Sequence, residues 1–172
     1  MKLQLPLLLF ASSILLFSCQ KDAVSSNELI TSFSANRIND NNNNEVPFKA
    51  NYVTVHTLLQ GPAVQLVNGT GVASHLGKSS FIANANVNFS TAPPFAIAGT
   101  ATFKAANGDQ FYTQFTGSFT PATAGPSLSI INHVITGGNG RFENATGAFT
   151  ATSVSTSVPL TNNVTMEGAI SY

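Results

Sequence analysis

Charge is scarce in this 172-residue chain: Asp, Glu, Lys and Arg together make up 8% of it, seven acidic against seven basic, for a formal net charge of zero. No basic run is available to neutralise phosphates, so nucleic acid is excluded as an expected partner. Tryptophan is absent, and cysteine occurs once, at Cys19. Any domain downstream of Cys19 therefore has no disulfide, and its stability must come from an apolar core. Recognisable catalytic and metal signatures are missing too. His56, His75 and His133 lack the paired spacing of a zinc site. No Gly-x-Ser-x-Gly elbow supports a nucleophilic serine. Gly77-Lys78-Ser79 ends like a phosphate-binding loop, but Val72 stands where that loop needs glycine, and strand-like alternation follows where it needs a helix. Neither metal nor cofactor is expected.

What is present divides the chain in three. Lys2 precedes an almost unbroken apolar run from Leu3 to Phe17. That run is shorter than the roughly 20 residues a membrane-spanning helix needs, and it fits the core of a secretory signal. It ends in Leu16-Phe17-Ser18-Cys19, which resembles the lipobox of bacterial lipoproteins, although Phe17 is bulkier than usual. The resemblance implies a signal peptide over 1–18, cleavage before Cys19 and acylation of that cysteine. Two or more acyl chains, at about 0.8 kcal/mol per buried CH₂, anchor a protein stably. Gln20-Lys21-Asp22 resembles the starts of exported outer-membrane lipoproteins, so the expected site is the outer membrane, with the cell surface as an option. Residues 19–45 are polar and end in Asp40-Asn41-Asn42-Asn43-Asn44-Glu45. They read as a flexible tether with a root-mean-square span of about 28 Å.

From Val46 to Tyr172 the pattern becomes period-two alternation rich in Thr, Val, Phe and Ile, with no helical period. Phe81, Ala83, Ala85, Val87 and Phe89 share one strand face; Ile97, Gly99, Ala101, Phe103 and Ala105 share the next. Phe111, Phe115 and Phe119 form a third, after the turn Asn107-Gly108-Asp109. Leu128, Ile130 and Val134 alternate, as do Val164, Met166, Ile170 and Tyr172. The count is about eight strands, near 48–57, 63–76, 79–90, 96–106, 110–120, 127–136, 146–157 and 163–172. An all-β domain over 46–172 follows: an eight-stranded antiparallel β-barrel, with a β-sandwich as the alternative. Ala and Gly between phenylalanines suit a crowded barrel interior, with Phe side chains plugging the ends.

The most distinctive segment runs Thr136-Gly137-Gly138-Asn139-Gly140-Arg141-Phe142-Glu143-Asn144-Ala145-Thr146-Gly147. It resembles the glycine-rich signature of dirigent proteins and allene oxide cyclases, which are eight-stranded barrels. Gly71 to Lys78, Ala106 to Asp109 and Glu167 to Tyr172 are similar to uncharacterised bacterial secreted barrels carrying that signature. The resemblance implies the barrel and an internal cavity. It transfers no activity, because the catalytic acidic and arginine residues of those families have no matched positions here. On the residues alone the signature reads as a barrel-closing turn with Phe142 folded inward and an Arg141–Glu143 pair at its surface.

The candidate ligand-binding residues are His75, Arg141, Phe142 and Glu167, with His75 expected in or near the lumen. Asp109 is expected to serve its hairpin turn, and alternation points Glu167 away from Met166. Catalytic residues are not assigned. The expected role is a lipid-anchored envelope barrel, non-enzymatic, binding a small apolar or aromatic ligand. A cyclase or isomerase using the cavity, or a purely structural surface module, are the alternatives.

Overall fold

A strand with Phe, Ala or Val at every second position buries one face and leaves the other to Thr, Asn and Ser. Eight such strands form: β1 (Val46–Gln60), β2 (Val64–Ala73), β3 (Gly77–Asn88), β4 (Phe95–Ala105), β5 (Gln110–Thr120), β6 (Ser127–Asn139), β7 (Thr146–Ser155) and β8 (Thr161–Ser171). The computed structural model describes residues 45–155 and 161–172. The expected signal peptide, Cys19 and the tether up to residue 44 lie outside the described residues. Each strand pairs antiparallel with the next, and β8 returns to β1, with Val46 opposite Ile170 and Val55 opposite Thr161. The sheet is therefore a closed barrel rather than a sandwich, and closure removes every free edge.

The up-and-down order gives the barrel two unlike ends. The chain enters β1 at one end, where the β2–β3, β4–β5 and β6–β7 turns and Tyr172 also gather. This end is closed. Phe48, Phe103, Phe111 and Phe142 are fully buried there, with Phe103 stacked on Phe111 at 4.7 Å and Phe48 against Phe149 at 4.7 Å. Aromatic pairs of this kind contribute about 0.5–1.5 kcal/mol each beyond the area they bury. Tyr52 continues the cluster, its hydroxyl 2.8 Å from Ser79 Oγ, and burial raises its pKa despite that bond. Towards the opposite end the inward positions shrink to Ala83, Ala85, Ala151 and Ser153, so the same alternation that fills one half leaves the other hollow.

The signature segment closes the packed end. A 3-10 turn over Gly140–Phe142 tips the Phe142 ring inward, where Phe111 meets it edge-on at 5.6 Å. Gly140 holds a positive φ of 59°, and a Cβ on Gly138 would collide with the Gln110 and Phe142 carbonyls.

Two faces differ from the alternation read in sequence. Leu128, Ile130 and Val134 point outward, at 38%, 44% and 46% exposure. Register explains this: His133 lies opposite both Phe115 on β5 and Phe149 on β7, and residues directly opposite in a sheet share a face. With Phe115 and Phe149 inside, His133 and Ile131 must be inside as well. Phe89 lies just past the end of β3 and is exposed at the open end, packed on Phe95 at 4.7 Å.

Candidate functional site

The hollow half of the barrel holds a cavity of about 170 Å³. Its wall has two sides. Strands β3, β4 and β5 contribute only apolar side chains, among them Phe81, Ala83, Val87, Ile97 and Phe115. Among the described residues the polar lining groups come from the contiguous arc β6–β7–β8–β1–β2: Ser129 and His133, Ser153 and Ser155, Asn162, Thr54 and His56, and Gln65. No charged side chain among the described residues lines the cavity.

At the mouth, His56 sits in a chain of hydrogen bonds that fixes its tautomer. Gln65 Nε2 donates to the Pro62 carbonyl at 2.9 Å, which turns Gln65 Oε1 towards His56 Nδ1, also at 2.9 Å. An amide oxygen only accepts, so Nδ1 carries the proton. The bare Nε2 then accepts from Asn162 Nδ2 at 2.9 Å. The chain ties β1, β2 and β8 together at the rim, and Thr54 donates to the Asn162 carbonyl at 3.4 Å just below.

Deeper, His133 forms the boundary between the cavity and the aromatic plug. It is 5% exposed, stacked on Phe149 at 4.6 Å and packed against Phe115 at 4.9 Å. Burial lowers its pKa from 6.5 to about 3, so the ring is neutral under any ordinary condition. Its Nδ1 lies 2.9 Å from Thr113 Oγ1. A neutral imidazole this reluctant to take a proton is a poor general base. Among the described residues no carboxylate, lysine or arginine lines the cavity beside it, and the arrangement can bind and orient an uncharged group.

The residues singled out in sequence lie elsewhere. His75 is in the β2–β3 turn with φ 66°, outside the closed end, where its Nε2 donates to the Pro47 carbonyl at 3.0 Å and its Nδ1 accepts from the Tyr172 hydroxyl at 3.1 Å. Arg141 joins it there, donating to the His75 carbonyl. Its ion partner is Asp109, at 3.4 Å, and not the expected Glu143. Asp109 also serves its turn, accepting from Asn107 Nδ2 at 2.7 Å. Phe142 is a buried plug. Glu167 faces out beside Lys49 at 3.9 Å, with both side chains more than 70% exposed. None of the four lines the cavity; His75, Arg141 and Phe142 form a structural cluster at the closed end, and Glu167 stands apart. Among the described residues no three His, Cys, Asp or Glu side chains gather as metal ligands.

Most of the lining was nonetheless signalled. Thr54 and His56 continue the inward phase of Phe48, Ala50 and Tyr52; Ser153 continues that of Phe149 and Ala151; Asn162 continues that of Val164 and Met166. A polar residue in phase with an apolar face marks a lumen group. No known protein family, curated protein or solved structure matches this chain.

Proposed function

We propose that this chain is a lipid-anchored envelope protein whose barrel holds a small, largely apolar ligand. The observation that carries the reading is the half-hollow lumen, about 170 Å³ with mixed apolar and uncharged polar walls. Binding sites typically pair an apolar lining with a few convergent polar groups, and a barrel serving only as a structural module has no use for a hollow half. This reading is favoured over a cyclase or isomerase because His75, Arg141 and Glu167 lie outside the lumen and burial holds His133 neutral. The lipobox resemblance at Cys19 supplies the anchor, and the outer membrane is its proposed location. Because β1 begins at the closed end, a tether from Cys19 joins the barrel opposite its mouth.

The test is ligand capture. Mass spectrometry of the purified full chain should find a co-purifying small molecule, or toluene should bind and raise the thermal midpoint. Ala151→Leu, which pushes bulk into the cavity, should abolish either effect while the chain stays folded. Equal binding by wild type and Ala151→Leu would remove the lumen as the site.

A further inference from the structure

The proposed ligand site also has a chemical preference, and this inference rests on the reading just given. We propose that the cavity selects uncharged, single-ring molecules carrying a hydrogen-bond acceptor, with that acceptor met by the imidazole N–H of His133.

Three observations carry it. The first is the tautomer of His133. Thr113 is 1% exposed, and its hydroxyl has one side-chain partner among the described residues, Nδ1 of His133 at 2.9 Å. Were Nδ1 the donor, the hydroxyl proton would be buried without an acceptor, at a cost of about 1–3 kcal/mol. The hydroxyl therefore donates, and the ring proton is on Nε2. That nitrogen has no protein partner among the described residues, yet no fully buried side-chain polar atom there is left unpaired. Nε2 therefore reaches the cavity, where it presents an N–H. Stacking on Phe149 holds the ring plane in place.

The second observation is size and lining. A cavity of about 150 Å³ in an apolar interior accepts benzene, so about 170 Å³ takes one ring with a short substituent. The β3–β5 wall offers that ring Ala83, Ala85, Ile97 and Phe115 on one side, while the donor and the serine hydroxyls are confined to the other. A ligand is thus oriented as well as enclosed.

The third is charge. Among the described residues no charged side chain lines the cavity, and all eight charged residues from Glu45 onward occur in the closed half of the barrel. The β1–β2, β3–β4 and β5–β6 connections at the mouth contain none, and neither does the sequence of residues 156–160. An ionised ligand would be desolvated in the cavity with no counter-charge among the described residues to meet it.

Equilibrium binding of three probes to the full chain at neutral pH tests this: acetophenone, toluene and benzoate. Acetophenone should bind about fivefold more tightly than toluene, the worth of one neutral hydrogen bond. Benzoate should bind on the order of a hundredfold or more weakly than acetophenone. His133→Phe, which keeps a flat ring and removes the donor, should bring the ratio of acetophenone to toluene affinity down to about one, whatever the absolute affinities. If His133→Phe loses toluene binding or its cooperative thermal transition, Thr113→Val decides. It frees the ring to swap tautomers and should narrow the acetophenone preference; an unchanged preference would overturn the inference. Rings that bind without regard to acceptor or charge overturn it too, while leaving the binding function standing. No binding by any probe overturns both.

Discussion

His56 and His133 are the same side chain put to different uses by their surroundings. His56 is half-buried at the mouth, with both ring nitrogens occupied by Gln65 and Asn162, so it stiffens the rim. His133 is enclosed by aromatic rings and its pKa is held at about 3. The stability consequence has a definite sign. Below about pH 6.5 the unfolded chain protonates this histidine, whereas the folded chain refuses the proton until about pH 3. The unfolded state therefore binds more protons in that window. The contribution of the neutral ring is complete above pH 6.5 and is lost at roughly 1.4 kcal/mol per pH unit as pH falls through the window. Urea midpoints measured between pH 7 and pH 4 should fall more steeply for wild type than for a His133→Phe/Thr113→Val pair. The carboxylates common to both chains cancel in that difference, and parallel curves would contradict the buried neutral ring.

Elements matter here through register. β6 carries two alternating sets, and the more apolar-looking one, Leu128, Ile130 and Val134, faces out. Nothing within β6 decides between them; its partners do, because Phe115 and Phe149 are fixed inside and His133 lies opposite both. An irregularity then shifts the pairing between Tyr112 and Thr113, with Gly137 and Ile135 opposite them. Strand spacing, turn positions and the inward Phe142 were all legible in sequence, since they depend on local alternation and turn chemistry. The inward facing of His133 was not, because on β6 facing is settled between strands. The glycine-rich segment that follows is structural on the same argument. Gly138→Ala sets a methyl group against two backbone carbonyls and should cost about 2–3 kcal/mol in urea unfolding. Arg141→Ala, on a partly exposed ion pair, should cost about 1 kcal/mol or less. A large Arg141 effect with a small Gly138 effect would reverse the assignment.

At the scale of the whole molecule, the barrel is polarised along its axis. Charges, both ends of the barrel chain and the aromatic plug occupy one end; an uncharged mouth with Phe89, Phe95 and Phe119 occupies the other. The chain from Cys19 enters the barrel at the charged end, through β1. In a bacterial host that processes lipoproteins, radiolabelled palmitate should be incorporated into wild type and not into Cys19→Ala, and the variant should leave the membrane fraction. Persistent labelling would rule out that cysteine as the acylation site.

The sequence by itself determined the strands, their number, the phase of most of them and the plug, because alternation and turns act over a few residues. Scarcity of charge and the lone Cys19 likewise bounded the partners without any coordinates. Tertiary structure decided three things: that the sheet closes on itself, that β6 turns its histidine inward, and that small and large inward side chains segregate to opposite ends. Each depends on which residues stand opposite one another across strands far apart in the chain, as Val46 does with Ile170, and no local pattern carries that information.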